Sequence, residues 1–381
     1  MKCHLFSIWA AVSLGSVSAS QFKEQIIDPK IGVGYGLAIA DVNGDKKSDI
    51  LLVDAGEVAW YQNPTWEKHV ITGKLTERDH VCIAAEDINA DGKTEIAIGA
   101  QWNPGDTENS GAVFYLVAPQ DRTQKWEARQ LPHEPTVHRM WWVHGDAGKF
   151  SLVVAPLHGR GNRRGEGQGV RLLEYLVPST PGEVWRTRLM DDTLHMTHNL
   201  DPVQWDSDRA QEVLYAGKEA ILLLDRKGDS WANTKIAGEQ EGFAGVGEVR
   251  LGKSKNGRFI ATIEPMHGTN VVIYTPEGEN WKRNVIDSSL ADGHAVATGD
   301  LLQSGQDQVV IGWRGKNASG KVGIKLFQSK GDKWESSWID DNGMACEDLK
   351  IADLNGDSWP DIIAAGRATK NVKVYWNQGN K

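Results

Sequence analysis

The sequence predicts an all-β fold, a seven-bladed β-propeller of four-stranded blades, on three observations. The stretch Gly34 to Val53 (GYGLAIADVNGDKKSDILLV) has two near copies far downstream, His80 to Gly99 and Cys346 to Ala365. Six tryptophans, Trp66, Trp126, Trp185, Trp231, Trp281 and Trp334, each open a short β-rich run, at spacings of 60, 59, 46, 50 and 53 residues. Such spacings suit a four-stranded blade with variable loops. A run of the same form, Phe22 to Asp28, opens the chain, whereas the last unit, Met344 to Asn377, lacks one. The early strand is therefore expected to complete the last blade, which closes the ring and removes an open sheet edge.

In chain order, residues 1–19 carry a lysine, an apolar centre and Val17-Ser18-Ala19 before Ser20, the pattern of a cleaved export signal. The apolar run is too short for a permanent membrane span. The expectation is a periplasmic or secreted protein whose residues 20–381 form one propeller domain. Loss of Lys2 with the leader takes the net charge from −9 to −10, with 41 basic against 51 acidic residues, so no basic face invites nucleic acid. Cys82 and Cys346 are too few for a disulfide framework. The 41 glycines and 16 tryptophans suit a well-cored β protein with many turns.

Each of the three copies places oxygen donors at positions 1, 3, 5 and 9 of a loop between two strands. They are Asp41, Asn43, Asp45 and Asp49; Asp87, Asn89, Asp91 and Glu95; and Asp353, Asn355, Asp357 and Asp361. A hard cation takes six to eight oxygens, so the expectation is three structural Ca2+ sites. A single such loop reads equally well as an acidic surface turn; threefold repetition in one strand context favours calcium. Strands rather than helices flank the loops, so this is no EF-hand.

The other four blades keep the frame of that unit, and Ser151-Leu-Val-Val, Glu212-Val-Leu-Tyr, Arg258-Phe-Ile-Ala and Gln308-Val-Val-Ile align with Asp49-Ile-Leu-Leu. Counting back from those anchors to the start of each innermost strand yields Tyr35, His80, His138, His198, Ala244, His294 and Glu347, aligned to within one residue. Four of the eleven histidines thus fall at one level, at one mouth of the central channel. One histidine there would be an ordinary channel filler; four beside Glu347, with His195 nearby, point to a site. The loops between second and third strands open on the same face. They offer Trp102, His158, Arg160, Asn162, Arg163, Lys218, Glu264, His267, Trp313, Arg314 and Arg367. Solvated surface loops collect polar residues in any protein. The run HGRGNRRGEGQG (158–169) asks for more, because its three arginines repel one another unless a carboxylate or ligand joins them. Tryptophan beside arginine, asparagine and histidine suits a small sugar.

From Phe22 to Asn377 the chain resembles the FG-GAP and VCBS-type calcium propellers, through its D-x-N-x-D loops. More narrowly it is similar to the propeller part of the aldos-2-ulose dehydratases, in PTVHRMWW (135–142), APLHGRGNRRGEGQG (155–169) and EPMHG (264–268). The resemblance implies metal-assisted elimination of water from an oxidised keto-sugar, with a histidine as base. The additional cupin domains of those enzymes are not found in this chain.

Such an elimination needs a base for the α-proton, a cation or donor for the enediolate and an acid for the leaving hydroxyl. His138 is expected as base, with His80, His198, His294 and Glu347 shared between metal binding and proton transfer. His138, His198 and His294 are the candidates for a central divalent metal, Zn2+ or Mg2+. Tyr35, Trp102, His158, Arg160, Lys218, His267 and Arg314 are expected to hold substrate. The alternatives are a polysaccharide lyase and a non-catalytic calcium propeller that binds carbohydrate or protein.

Overall fold

The computed structural model describes residues 21–379 apart from 180–182 and 332, so the export signal expected over 1–19 lies outside the described residues. Seven four-stranded antiparallel sheets stand side by side, and each innermost strand contacts the next all the way round. These inner strands are Gly36–Ala40, Cys82–Glu86, Val137–His144, Thr197–Val203, Glu248–Ser254, Gly293–Gly299 and Cys346–Ala352, and they define blades 1 to 7. Among the described residues no helix is long and apolar enough to cross a membrane.

Strands buried on both faces read as continuous apolar runs. Asp49–Val53 (DILLV) and Glu212–Gly217 (EVLYAG) are buried throughout, whereas the outer strand Glu67–Thr72 is exposed at its start. The repeat tryptophans pack at the seams between blades. Trp66 lies against Trp376, Trp281 against Trp205 and Trp334 against Phe259, at ring separations of 6.1, 5.8 and 5.4 Å.

The last sheet runs in the order Phe22–Asp28, Asn371–Asn377, Asp361–Gly366, Cys346–Ala352, so the N-terminal strand closes the ring. Phe22 pairs with Asn377 and Ile26 with Lys373. Phe22 is buried in the core of blades 6 and 7, and the buried Lys373 ammonium bonds both Glu24 and Asp340 at 3.0 Å.

The ring positions follow from a shared irregularity. In blades 3, 4, 6 and 7 the pairing of the first two strands slips by one residue at His138, His198, His294 and Glu347. In blade 2 the N–H groups of Val81 and Cys82 face one partner, Gly99, and in blade 5 Gly247 and Glu248 share Ile263 in the same way. A bulge at a rim re-aims its side chain, and here the bulged residues line the mouth. The sequence count therefore needs two corrections. The ring residue of blade 2 is Val81, next to His80, and that of blade 5 is Gly247, not Ala244. Blade 5 joins its first two strands by a two-residue turn after Ser254, where blade 1 uses the eight residues 41–48, and counting with the longer loop overshoots.

Candidate functional site

Each ring histidine is held by the next blade in the same way. Nδ1 of His138 bonds the carbonyl of His198 at 3.0 Å, Nδ1 of His198 that of Gly247 at 2.9 Å, and Nδ1 of His294 that of Glu347 at 2.6 Å. All three acceptors are ring residues. A carbonyl can only accept, so Nδ1 carries the proton and the neutral ring keeps its lone pair on Nε2. His138, His198 and His294 are 5, 1 and 4% exposed. Burial holds the pKa of His138 and His294 well below the ordinary value, helped by the Arg139 and Arg314 charges respectively. Burial also lowers His198, opposed by Glu248. Neutral imidazoles with fixed tautomers are ready metal ligands.

Blade 5 places glycine where its neighbours place a large side chain, and His267 occupies the space. It comes from the loop after Gly257–Glu264, with a left-handed φ of 53°, and its Nε2 lies 2.6 Å from Nε2 of His198. One ring nitrogen each from His198, His267 and His294 lies within 4.8 Å of the others, a group able to hold a metal ion. Burial, then the charges of His198 and Arg314, lowers the His267 pKa to about 2. The sequence expectation for the central metal named His138, His198 and His294. The structure gathers His267 in place of His138, whose Nε2 instead accepts a hydrogen bond from Arg139 at 3.1 Å.

Polar and aromatic neighbours run right round the mouth from there. Trp102 stacks on His138 at 4.8 Å and pairs through its backbone with Asp79. Asp79 accepts the Tyr35 hydroxyl at 2.9 Å, and the Arg367 guanidinium lies 5.4 Å from the Tyr35 ring centre. Burial, reinforced by Asp79, raises the Tyr35 pKa and keeps the phenol protonated. Arg367 and Arg314 both donate to the buried Glu347, at 2.9 and 2.6 Å, and Glu347 is 3.9 Å from Nε2 of His294. Arg314 also donates to Asp292, 3.8 Å from Nδ1 of His267.

Four of the sequence candidates stand outside this circuit. His80 is fully buried at the seam of blades 1 and 2, where its Nε2 accepts from the Leu75 N–H and its own N–H donates to Ala55. His158 is tied by its backbone to Thr136 and Met196. Arg160 donates to the Glu108 carbonyl and pairs with Glu134, which also holds Arg171; of the arginines in the 158–169 loop this carboxylate joins Arg160. Lys218 is exposed on the loop of blade 4 and bonds Met196 through its backbone. Of the other loop residues, Trp313 is wholly buried and Asn162 is an internal staple to Gln168 and His195, so neither offers a surface to sugar.

At the other end of the inner strands the three acidic loops share one geometry. The carboxylate at position 9 caps the loop, as Asp49 accepts from Val42, Glu95 from Ile88 and Asp361 from Leu354. Position 1 gathers backbone N–H groups, with Asp41 accepting from Gly44 and Lys46 and Asp353 from Gly356 and Ser358. Burial raises Asp49 and Glu95 to about 7 and Asp361 to about 6. Blade 4 repeats the spacing with Gln204, Asp206, Asp208 and Glu212. Its three carboxylates place oxygens within 4.8 Å of one another, and Trp205 donates to Glu212 at 2.7 Å. The pattern was present in the sequence but hidden by the glutamine at position 1.

Sequence reasoning also passed over Arg139, Asp79, Asp292 and Glu248. Arg139 beside His138, Asp79 beside His80 and Asp292 two residues before His294 had a local signal. Glu248 meets the cluster from the neighbouring blade.

Comparison with known proteins accords with this geometry. Residues 25–98 match the FG-GAP-like repeat and residues 83–116 the FG-GAP repeat. Residues 25–116 of this β-propeller thus resemble FG-GAP repeats. Residues 110–277 match the β-propeller domain of aldos-2-ulose dehydratase. Aldos-2-ulose dehydratase from Phanerodontia chrysosporium is 23% identical over 383 residues, which cover 92% of this chain and 39% of that protein. The chain thus resembles the dehydratase propeller domain and spans about two fifths of the length of the relative it matches. The crystal structure of the β-propeller domain of Cps50 (Swd1) from Myceliophteria thermophila superposes with a TM-score of 0.57 at 9% identity, over 93% of this chain and 99% of that one. This second likeness speaks to the fold alone.

Proposed function

We propose that the protein is an exported, metal-dependent carbohydrate lyase that eliminates water from an oxidised keto-sugar at the propeller mouth. The observation that carries this reading is the convergence of His198, His267 and His294, two of them with Nδ1 locked on a backbone carbonyl. Three neutral imidazoles fit zinc with an open coordination position, and the likeness to aldos-2-ulose dehydratase supports a carbon–oxygen lyase. Zinc bound there supplies a Lewis acid for the ketone oxygen.

The chain's own groups supply the rest. His138 accepts the α-proton at Nε2, in the tautomer its bond to the His198 carbonyl enforces, and the imidazolium so formed returns that proton to the departing hydroxyl, which leaves as water. Arg139 must leave that nitrogen for the transfer to occur, and the freed guanidinium can then meet the sugar. Arg314 and Arg367, braced on Glu347, offer N–H donors beside His294, and the Trp102 face beside His138 packs on the sugar ring. The three acidic loops bind structural calcium in the exported protein, and residues 1–19 are the leader.

The test is direct. Zinc-loaded protein, kept in excess calcium, is incubated with 1,5-anhydrofructose, glucosone and 3-keto-glycosides, and the ultraviolet absorbance of a conjugated enone is followed. Absorbance that rises with zinc and not with the stripped protein is expected; no rise with any of the three sugars overturns the reading. Tyr35 in the same ring favours a second reading, cleavage of an intact polysaccharide, which the same absorbance follows as unsaturated chain ends when a polysaccharide replaces the three small sugars.

A further inference from the structure

Blade 5 contributes no ring side chain, yet two of the three clustered histidines depend on its first two residues. We propose that Gly247 and Glu248 are the positioning residues of the metal site, which rests on the zinc reading above.

Gly247 acts by what it lacks. A Cβ built on it would stand 3.2 Å from the His267 nitrogen and 3.2 Å from the Met266 Cα, so the loop that carries His267 lies directly on the glycine backbone. The other end of that loop cannot yield. The Glu264 carboxylate is 1% exposed and accepts from Thr262, from the Tyr274 hydroxyl at 2.6 Å and from Arg283 at 2.8 Å. A larger residue at 247 must therefore lift His267 away from His198.

Glu248 acts on the other partner. Its Oε1 lies 3.1 Å from Nδ1 of His198, whose N–H is donated to the Gly247 carbonyl, so the carboxylate faces that ring edge as a charge. Its Oε2 accepts from Asn199 at 2.6 Å, so the carboxylate is itself fixed. A carboxylate behind a ligating imidazole sets the ring orientation and strengthens the nitrogen facing the metal, and its loss commonly weakens binding 10- to 100-fold. The dipeptide thus aims His198 through its carbonyl and carboxylate, and admits His267 through its missing side chain.

The experiment measures zinc affinity of the full chain in competition with a chromophoric chelator, in excess calcium, beside the melting temperature. Wild type is expected to bind one zinc tightly, and His267→Gln sets the floor. Glu248→Gln should weaken binding by about 10- to 100-fold with little change in melting temperature. Gly247→Ala should weaken it less than Gly247→Val, and Gly247→Val should fall to the floor. If Gly247→Val does not fold, Gly247→Ala and Glu248→Gln decide. Both binding zinc as wild type does overturns this proposal alone, whereas a wild type that binds no zinc overturns the metal reading and this proposal with it.

Discussion

The two ends of the innermost strands use burial in opposite senses. At the mouth, burial keeps imidazoles neutral, and backbone acceptors fix their tautomer so that nitrogen lone pairs are presented. At the far end, burial pushes Asp49, Glu95 and Asp361 towards protonation, and only a cation or a proton relieves them. From His198 to Gln204 is six residues, about 20 Å at roughly 3.3 Å per residue, so the two ends cannot share an ion. One strand frame therefore carries a cluster of nitrogens at one end and clusters of oxygens at the other, and each should be separable from the other by mutation.

The largest expected effect would break both ends at once. Deleting residues 20–28 removes the partner of Asn371–Asn377 and the buried Phe22. Calorimetry is expected to show loss of the cooperative transition, and an unchanged melting temperature would remove closure as the source of stability.

Next in size is a change confined to the mouth. His138→Ala should lower turnover of any sugar the wild type converts by about 10²-fold or more, while calcium-dependent stability stays as it was. Full activity in this variant would move the proton transfer to another ring member.

Calcium removal should act in the reverse pattern, on stability first. A ligand bound only by the folded state contributes about 2.7 kcal/mol per site at 100 times its Kd, so chelation should lower the melting temperature and Asp353→Ala should abolish one site's share. The metal-free protein should also lose stability as pH rises. The folded-state pKa values of Asp49 and Glu95, about 7, and of Asp361, about 6, lie above their ordinary values of 3.8 and 4.5. The folded state therefore holds more protons than the unfolded one between about pH 4 and 7, and stability falls across that window. Saturating calcium should flatten the slope. A metal-free protein whose melting temperature is level from pH 4 to 8 would contradict the assignment of these carboxylates.

The smallest effect sharpens the boundary of the mouth. Arg160 is 44% exposed and tied to Glu134, so Arg160→Ala should shift stability by less than about 1 kcal/mol and leave kcat unchanged. A large fall in kcat would place that loop inside the reacting centre.

What the sequence determined by itself is everything that repeats. The blade count, the closure by Phe22–Asp28 and the three acidic loops are legible because one strand–loop–strand pattern recurs with local spacing. The level of the ring was legible too, since His138, His198, His294 and Glu347 each sit at the same step of a strand. What only the tertiary structure decided is which residues from different repeats meet. Val81, next to His80, holds the ring position of blade 2, and Gly247 rather than Ala244 holds that of blade 5 because a two-residue turn shifts the count. His267 joins His198 and His294 because Gly247 leaves room for it, and Arg139 turns to His138 inside the channel. Glu248, Asp79 and Asp292 reach the site across blade seams. Spacing along one strand reports the strand's own two faces, whereas contacts across a ring depend on bulges, loop lengths and a missing side chain, which no periodicity records.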